Sequence, residues 1–535
     1  MPGADAEVPV LIVGGGPVGL TARALLERWG VPSLLVEKHR ELSPFPRSRL
    51  VNVRSMEIFR RLGVAERITA AAFAPEYGRV RFRDTLCAPD FAGAAMVGVR
   101  AAVAESPVVG VVTSQDRLEP TLLAAAGGEV RFGTGLVALE EEPEGVVAVL
   151  ADGARGARTR VRARYVVAAD GANSTVRDRL GIATTGPGAL GEYTTVVFDA
   201  DLAPWCAHQP AGVYFTAFGS FTPLYPEGGW AWFGPTPDGN GRPDWSGRVS
   251  HALGAGTEVR ADVVRVQHWS MTAYVAERLR RGRVLLAGDA AHAVPPIGGL
   301  GMNAGVADAH NLAWKLAGVL QGWAEPALLD TYETERLPVA HETLRQAVAN
   351  THLLLQVQNL RKEQLRSGSS APVELPWSER YFAQLGLVLG TVYDSAAVLG
   401  EGEGDGDGEG GEGDGDARPE VPGTEYVPTA RPGHRLPHHW LTPDRSTLDA
   451  LGEWFTVLTP DPGPWRQHAT GPWPLHVEPL PGDRADRYGL SLHGGALLVR
   501  PDGHIAARWE GPQPSGPALR AALTAVTSCA AERCS

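Results

Sequence analysis

The sequence has few cysteines and no long run of apolar residues. Only four cysteines occur in 535 residues, Cys87, Cys206, Cys529 and Cys534. Their spacing fits neither a metal site nor a redox pair, so we expect reduced thiols in a cytoplasmic protein. No apolar run reaches the roughly 18 residues of a membrane helix, so no membrane partner is expected. The first residues also lack the basic stretch of a signal peptide.

Excess positive charge is also missing. The formal net charge is −12, which argues against a nucleic-acid partner. Much of the negative charge lies in residues 401–416, EGEGDGDGEGGEGDGD, which cannot form a core and predict a solvated linker. The acids lack the spacing of a calcium-binding loop, and we expect no metal site.

The length of the chain excludes a single core. A chain of 535 residues with 44% hydrophobic side chains predicts two or three domains, each with an extensive apolar interior.

The segment 283–320 carries the most informative change of pattern. Residues 284–287 are an apolar run that predicts a buried parallel strand. The prolines and glycines between Pro295 and Gly301 exclude regular structure, and helical spacing begins at Asn303. A loop that delivers backbone N–H groups to a helix start favours binding of an anionic group.

The N-terminal segment has the dinucleotide-binding fingerprint in its required context. Residues 8–13 predict a buried strand, residues 14–19 read GGGPVG, and a helix, a second strand and an acidic residue follow. We expect Gly14 to make the turn, Gly16 to admit the pyrophosphate, Gly19 to allow close packing and Glu37 to bind ribose hydroxyls. The predicted binding residues of this segment are Gly14, Gly16, Pro17, Val18, Gly19, Glu37 and Lys38.

A third strand-to-loop signature occurs at residues 164–177. A buried strand ends in Asp170-Gly171, and a helix is predicted to begin near Ser174. Asp170 is a candidate cofactor-binding residue. An alternative interpretation is that Asp170 and Arg177 pair only to fix the loop.

Together these signatures resemble the single-component flavoprotein aromatic hydroxylases, typified by para-hydroxybenzoate hydroxylase. The segment GDAAHAVPPIGGLGMNAG is similar to the second FAD motif of that family, and residues 164–177 to its Asp-Gly motif. The resemblance runs from Val8 to about Ala347 and continues more weakly to the end. It implies an α/β fold with a Rossmann-like FAD-binding domain and an antiparallel-sheet substrate domain, with FAD and NAD(P)H as cofactors.

The resemblance also implies roles for individual residues. Asp289 would bind the ribityl chain, and residues 295–303 would lie along the isoalloxazine ring. Arg47 would lie beside flavin and substrate, Gln115 near the ribityl and phosphates, and the Val137 amide near adenine. Pro295 and Arg47 are the catalytic candidates, and no catalytic base is assigned because His292 is more often a packing residue. The remaining cofactor-binding candidates of the loop are Pro296, Gly299, Gly301, Met302 and Asn303.

Residues 185–275 alternate and are rich in β-branched and aromatic side chains, which predicts an antiparallel sheet. In the family this sheet lies over the flavin, and its aromatic residues suit a flat apolar substrate. The substrate candidates are Tyr214, Tyr225, Trp230 and Trp232. Trp230 and Trp232 loosely resemble a flavin-halogenase motif, but the motif is incomplete. Lys38, Lys315 and Lys362 are the only lysines, and none of them suits a halogenase active site.

The predicted domains are residues 1–184 with 276–345 for FAD, 185–275 for substrate, a helical segment 346–400, a linker 401–420 and a C-terminal domain 421–535. The C-terminal domain resembles the thioredoxin-like domain of phenol and polyketide hydroxylases. It lacks the redox CxxC motif, so we interpret it as structural or oligomer-forming, and a homo-oligomer is possible.

The predicted function is an NAD(P)H-dependent FAD monooxygenase that hydroxylates a polyketide-type or phenolic molecule in secondary metabolism. The resemblance implies a flavin C4a-hydroperoxide formed with molecular oxygen. Alternatives are Baeyer–Villiger or alkaloid oxidation, or an FAD-retaining binding protein without turnover. The substrate and the choice between NADH and NADPH stay open.

The first prediction concerns the cofactor. Purified protein should carry about one non-covalent FAD, because both anion-binding loops are intact. Glu37→Ala should weaken FAD binding without unfolding the chain. Flavin released by denaturation, identified by chromatography, provides the measurement, and release of FMN would contradict the dinucleotide interpretation.

Overall fold

A computed structural model describes residues 5–153, 156–237, 243–254, 259–369, 373–376, 384–400, 425–511 and 515–527. The predicted linker 401–420, Cys529 and Cys534 lie outside these residues. The strands are β1 (Ala6–Val13), β2 (Ser33–Glu37), β3 (Leu50–Val51), β4 (Arg79–Arg83), β5 (Asp90–Ala95), β6 (Val111–Val112), β7 (Val130–Phe132), β8 (Thr134–Glu142), β9 (Gly145–Asp152), β10 (Arg158–Ala168), β11 (Thr184–Asp199), β12 (Val213–Thr216), β13 (Gly219–Tyr225), β14 (Gly228–Pro235), β15 (Asp262–Ala276), β16 (Arg280–Arg281), β17 (Val284–Leu286), β18 (His292–Ala293), β19 (Trp440–Thr442), β20 (Arg445–Ser446), β21 (Phe455–Thr459), β22 (Leu475–Pro479), β23 (Ala496–Val499) and β24 (Ile505–Trp509). The helices are α1 (Pro17–Arg28), α2 (Val53–Arg61), α3 (Ala65–Ala70), α4 (Gln115–Leu123), α5 (Thr175–Leu180), α6 (Ala203–Cys206), α7 (Trp245–Leu253), α8 (Leu300–Gln321), α9 (Asp330–Ser367), α10 (Leu385–Leu389), α11 (Pro462–His468), α12 (Gly482–Ala485) and α13 (Ser515–Val526).

The first sheet has the strand order β16-β17-β10-β1-β2-β7. Strands β17, β10, β1, β2 and β7 pair in parallel, and β8 and β9 extend the sheet antiparallel from β10. Strands β1, β2 and β10 are almost fully buried toward their carboxyl ends, as expected for a parallel sheet covered on both faces. The predicted Rossmann-like α/β fold is confirmed.

Glycines allow the two helices that follow the two FAD motifs to meet. A Cβ on Gly305 of α8 would lie 2.5 Å from Val18 Cγ2 of α1 and 2.9 Å from Gly288 Cα. A Cβ on Gly19 would lie 2.0 Å from the Gly14 carbonyl oxygen. A side chain on Gly305 would push α8 away from α1, and a side chain on Gly19 would push α1 away from the loop that precedes it.

The second sheet has the strand order β18-β15-β11-β14-β13-β12-β4-β5. Its pairs are antiparallel except that β12 and β4 run parallel. The predicted antiparallel character is confirmed, but the sheet draws on more of the chain than residues 185–275. Strands β4 and β5 come from residues 79–95, and β18 follows the Gly288-Asp289 turn.

The two faces of the second sheet have different surroundings. The back face carries Tyr214, Phe221, Trp232 and Val196, which are in register across β12, β13, β14 and β11 and form one buried cluster with residues of α6 and α7. Residues one position along these strands point to the opposite side. This front face includes Thr222, which contacts Arg49 of the FAD-binding region.

The helical predictions hold with shifted ends. Helix α8 begins at Leu300, three residues before the predicted start, because Gly301 is tolerated in its first turn. Within the predicted helical segment 346–400, helix α9 continues to Ser367 and the short helix α10 follows at Leu385–Leu389. Within the described ranges, no helix combines the length and hydropathy needed to cross a bilayer.

The C-terminal region forms a sheet with the strand order β22-β21-β23-β24. Strands β21 and β22 are parallel, whereas β23 is antiparallel to both of its neighbours. Helix α11 connects the parallel pair, and α13 follows the last strand. This arrangement confirms the thioredoxin-like fold, and a hairpin around Pro501, Asp502 and Gly503 joins β23 to β24.

That hairpin docks on the FAD-binding domain through buried charges. Arg500 pairs with Glu335 of α9 at 2.5 Å and with Asp502 at 2.5 Å, and Lys315 of α8 pairs with Glu335 at 2.7 Å. The Asp502 carboxylate also accepts from Trp314 Nε1 at 3.2 Å. All these charged side chains are at most 1% exposed. Such buried charges are tolerated only when each has its partner.

Replacement of Arg500 tests this docking. Arg500→Met should lower the free energy of unfolding by about 3–5 kcal/mol, because Glu335 and Asp502 would stay buried with too little positive charge. The measurement is urea denaturation of the full chain.

The matched control is Arg28→Met. Arg28 also pairs across the domains, with Glu453 at 2.7 Å, but its side chain is 43% exposed. Its removal should cost less than about 1 kcal/mol. Equal effects of the two substitutions would contradict a special role for the buried network.

Candidate active site

The first anion-binding loop lies between β1 and α1. Gly14 has φ +110°, and a Cβ there would lie 2.2 Å from the Ala169 carbonyl oxygen. A Cβ on Gly16 would meet no atom within 4 Å, so the approach to the start of α1 is open. Pro17 is the first residue of α1 and is buried, whereas Val18 is partly exposed and packs on Gly288.

Glu37 ends β2 beside this loop. Its carboxylate accepts hydrogen bonds from the backbone N–H of Gly15 at 2.7 Å and of His39 at 2.8 Å. Lys38 is exposed next to it, and Val137 is partly buried at a register shift in β8. Glu37 therefore lies at the edge of the cradle where the fingerprint predicts a ribose, while the contacts of Lys38 and Val137 with a cofactor stay predictions.

Asp170 lies at the end of β10, next to Gly14. It accepts from Ser174 Oγ at 2.6 Å and from the Val176 N–H at 3.1 Å. Arg177 instead donates to Tyr274 Oη at 2.7 Å and to the Ala290 carbonyl at 3.1 Å. The alternative that Asp170 and Arg177 pair with each other is therefore wrong, because each has its own partners.

The second anion-binding loop precedes α8. Pro295 is buried and Pro296 exposed. Gly299 is the N-cap with φ +64°, and a Cβ there would lie 2.8 Å from Leu50 Cβ. The Asn303 side chain accepts from the Asn52 N–H at 2.9 Å and donates to the Leu50 and Gly299 carbonyls. Asn303 therefore positions the loop with its side chain, which leaves its backbone amide to face a cofactor.

The first turn of α8 supplies the donors of this site. The backbone N–H groups of Leu300, Gly301, Met302 and Asn303 have no partner within an α-helix, and the helix dipole is positive there. The Asp289 Oδ1 atom would lie 3.8 Å from a Cβ on Gly301. Asp289 and the amides thus face the same groove. This arrangement suits a ligand in which a hydroxylated chain carries a ring that can become anionic.

A buried ion triad supports this loop from below. Asp308 of α8 contacts His292 Nε2 at 2.6 Å, Arg336 Nε at 2.7 Å and the Gly288 N–H at 3.0 Å. Although burial raises the pKa of Asp308, the charges of His292 and Arg336 dominate and keep the carboxyl ionised. His292 is fully buried beneath the loop, as expected for a packing residue.

The segment 47–52 connects the two sides of the groove. The Ser48 N–H donates to Gln115 Oε1 at 3.3 Å, and Asn52 is bound to Asn303. Arg47 is exposed, and its charge acts on both Asp289 and Glu119. Arg47 is thus placed at the groove, and its catalytic role stays a prediction.

Glu119 is a residue of the site that sequence reasoning missed. It is buried one helical turn after Gln115, which donates to it at 2.7 Å. Burial raises the pKa of Glu119 to about 7, whereas Gln115 and Arg47 oppose the rise. The available signal was its position four residues after Gln115, on the same helix face.

Three of the four predicted substrate residues lie on the back face of the second sheet. Tyr214 and Trp232 are buried on the back face of the second sheet, and Trp230 packs against the same cluster. The Trp232 ring lies over Gly234, where a Cβ would be 2.5 Å from it. These side chains therefore fill the core between the sheet and α7 and do not form a wall over the flavin loop. Strand alternation decides this outcome, because a shift by one residue exchanges the faces.

Tyr225 lies at the end of β13 near helix α4. Its hydroxyl donates to Asp116, and its ring lies 4.4 Å from the Arg117 guanidinium carbon. Asp116 directly follows Gln115, so Tyr225 is the one predicted substrate residue that contacts the cofactor side. Among front-face aromatics, Phe233 is partly buried and in register with Ser220 and Thr195.

The residues of the groove fit FAD. Two helix starts with glycine-lined approaches supply donors for the phosphates and the ring, and Glu37 and Asp289 lie at the positions expected for sugar hydroxyls. No cluster of three or more His, Cys, Asp or Glu side chains in the described ranges could hold a metal ion. The fold and the groove define an FAD-binding oxidoreductase.

Comparison with known families makes this assignment specific. Residues 7–347 match the family described as FAD binding domain, and residues 429–530 match that described as aromatic-ring hydroxylase, C-terminal. The chain belongs to the FAD-dependent aromatic-ring hydroxylases and is a flavoprotein monooxygenase.

Characterised relatives match almost end to end. Tetracenomycin B2 monooxygenase-dioxygenase of Streptomyces olivaceus is 36% identical and aligns over 94% of this chain and 95% of its own. The 4-methyl-5-nitrocatechol 5-monooxygenase of a Burkholderia species is also 36% identical, over 94% of both chains.

Solved structures agree in fold. The flavin-dependent monooxygenase PieE, in complex with FAD and substrate, has a TM-score of 0.87 and 33% identity, covering 98% of this chain and 100% of its own. Aklavinone-11 hydroxylase, in a ternary complex with FAD and aklavinone, has a TM-score of 0.82 and 32% identity with the same coverage.

The raised pKa of Glu119 generates a pH prediction. The carboxyl has a pKa of about 7 when folded against 4.5 as reference, so the folded protein binds this proton more strongly. Its contribution to stability is full below the reference value and is lost as the pH rises through about 7. Glu119→Gln should therefore become progressively more stable than the parent protein from about pH 5 to about pH 8.

Urea midpoints of the two proteins across this pH range provide the measurement. Glu129→Gln is the control, because the Glu129 side chain is 59% exposed and its substitution should leave the pH profile unchanged. A constant difference between parent and Glu119→Gln would show that Glu119 is ionised throughout.

Proposed function

We propose that the protein uses NAD(P)H and molecular oxygen to hydroxylate a polycyclic phenolic substrate of the polyketide type. The observation that carries this proposal is that the front face of the second sheet meets the segment beside the loop before α8, where Thr222 contacts Arg49 and Leu50 packs on Gly299. The printed names of relatives support the substrate class, since they include tetracenomycin and aklavinone enzymes.

FAD, once bound and reduced by NAD(P)H, would activate molecular oxygen, so that one oxygen atom enters the substrate and the other leaves as water. The chain itself contributes binding, orientation and exclusion of water. The amides at the start of α8 would stabilise negative charge on the reduced ring by about 0.3–1 kcal/mol or more, as helix starts do for anions. Asp289 and Glu37 would fix the sugar hydroxyls.

The front face closes the reaction space from above. Strand β13 brings Thr222 to Arg49, and Arg265 of β15 donates to the Pro44 carbonyl at 2.8 Å. These contacts hold the sheet against the segment before β3. A flat ring between them would be positioned by the sheet and protected from water, which limits wasteful decay of activated oxygen.

Oxygen labelling tests the reaction. With a panel of hydroxylated naphthalenes and anthraquinones, the best substrate should accelerate NAD(P)H oxidation severalfold, and a reaction under ¹⁸O₂ should place one labelled atom in the product. Label found only in water or peroxide would contradict hydroxylation. Retention of FAD without any substrate-stimulated turnover would favour the alternative of a binding protein.

A pair of neighbouring substitutions tests the assignment of the sheet faces. Phe233→Ala should raise the fraction of turnovers that release hydrogen peroxide, because it opens the front face to water. Trp232→Ala should lower the free energy of unfolding by about 3–5 kcal/mol while leaving that fraction nearly unchanged, since its side chain is core.

Peroxide formed per NAD(P)H consumed is the readout for both variants, measured with FAD saturating. The reverse outcome, with Trp232→Ala uncoupled and Phe233→Ala normal, would place the substrate on the other side of the sheet.

We also propose a cytoplasmic location. It is supported by Cys87 and Cys206, the cysteines within the described ranges, which are both free thiols. A homo-oligomer stays a prediction, which sedimentation of the purified protein can test.

A further inference from the structure

Arg49 presents two hydrogen-bond donors without acceptors. Its Nη1 donates to Thr222 Oγ1 at 2.9 Å on the front face of the second sheet. Its Nε and Nη2 are shielded from solvent and have no partner among the described residues. The guanidinium carbon lies 5.6 Å from the centre of the Phe73 ring. Burial lowers the pKa of Arg49 to about 10, so the side chain is a cation at neutral pH.

Asp116 presents the complementary acceptor. Its Oδ2 accepts from the Tyr225 hydroxyl, while its Oδ1 is shielded and has no partner in the described part of the chain. Asp116 is the largest charge that opposes the lowered pKa of Arg49, followed by Tyr225. Even so, no ion pair within 4.0 Å joins Arg49 to Asp116 among the residues described. Arg49 and Asp116 therefore interact electrostatically without a direct hydrogen bond between them.

These groups lie where a substrate would bind. Arg49 follows Ser48, which is held by Gln115, and precedes Leu50, which packs on Gly299 of the loop before α8. Thr222 brings the front face of the sheet to the same point. Burying a charged group without a hydrogen-bond partner costs free energy. A ligand with a polar group that hydrogen-bonds to both side chains would remove this cost and bind strongly.

We propose that Arg49, Asp116, Thr222 and Tyr225 form a slot that binds a free hydroxyl group on the aromatic substrate. The hydroxyl oxygen accepts from Arg49, and its hydrogen is donated to Asp116 Oδ1. This inference rests on the proposed function and assigns the residues that recognise a hydroxyl group already present on its phenolic substrate. A carboxylate would be repelled by Asp116, and an ether would leave Asp116 without a donor.

Three probes of similar size test the slot, 2-naphthol, 2-methoxynaphthalene and 2-naphthoate. Each is titrated into oxidised, FAD-loaded protein without reductant while the flavin absorbance is followed. 2-Naphthol should bind on the order of tenfold more tightly than either other probe, which is the usual effect of a hydrogen bond to a charged group. Equal affinities, or no measurable binding of the naphthol, would overturn the proposal and leave water in the slot.

Two substitutions then distinguish the partners. Asp116→Asn should reduce or reverse the preference for the naphthol over the ether, because the new amide donates where the carboxylate accepted. Arg49→Met should weaken the naphthol on the order of tenfold, and Arg49→Lys should restore part of the loss. A uniform change for all three probes would indicate a merely structural role and contradict the slot.

Arg117→Met is the matched control. Arg117 is next to Asp116 and stacks on Tyr225, but it pairs with Glu227 outside the slot. It should keep the naphthol preference although it also removes a positive charge. Bound FAD and melting temperature are measured for every variant. If Arg49→Met binds less FAD or melts at a lower temperature than the parent protein, Arg49→Lys serves as the test of Arg49.

The binding assay separates this inference from the proposed function. A hydroxyl preference without NAD(P)H consumption for any substrate would contradict the monooxygenase reaction and leave the slot standing. Labelled product without a hydroxyl preference would support the monooxygenase reaction and contradict the slot.

Discussion

The close packing of α1 against α8 is the constraint on which the site depends. Val18 of the first helix lies against Gly288 and Gly305, where any added Cβ would collide within 3 Å. Because these glycines present no side chain opposite Val18, the helices approach closely, and the carboxyl ends of β1 and β17 deliver their loops to one groove. The positive ends of both helices then act on the same ligand. A single extra methyl group at this contact would move the first anion-binding loop away from the second.

Buried charge supports the same groove from the other side. Asp308 holds the Gly288 turn, His292 and Arg336 together, and Glu119 holds Gln115 near the segment that carries Arg47. In a low-dielectric interior such networks keep their geometry because a displaced partner would leave an unpaired ion. The cofactor loops are therefore irregular in backbone but tightly positioned.

The strands and glycine loops were predictable because they depend on local patterns. Apolar runs identify β1, β10 and β17, and the glycines mark where backbones approach closely. The start of α8 was predicted three residues late, since a glycine in a first turn has no distinct pattern. The faces of the second sheet were not predictable for Tyr214 and Trp232, because both faces carry aromatic residues and only the covering helix α7 distinguishes core from cavity. Glu119 and Asp116 were missed because a carboxylate on a helix is usually solvated, and only tertiary packing removes the solvent.

The hairpin of the C-terminal domain brings charged side chains into the FAD-binding domain, where Arg500 is the counter-ion of Glu335. Lys315 lies in α8, whose first turn builds the flavin loop, and Glu335 precedes Arg336 of the Asp308 triad in α9, while Arg500 and Asp502 come from the C-terminal domain. This domain therefore completes an electrostatic balance inside its neighbour. Removing it as a unit would uncover Lys315 and Glu335 and take away the Arg500 charge that Glu335 faces, so the FAD-binding domain depends on the C-terminal domain for charge balance.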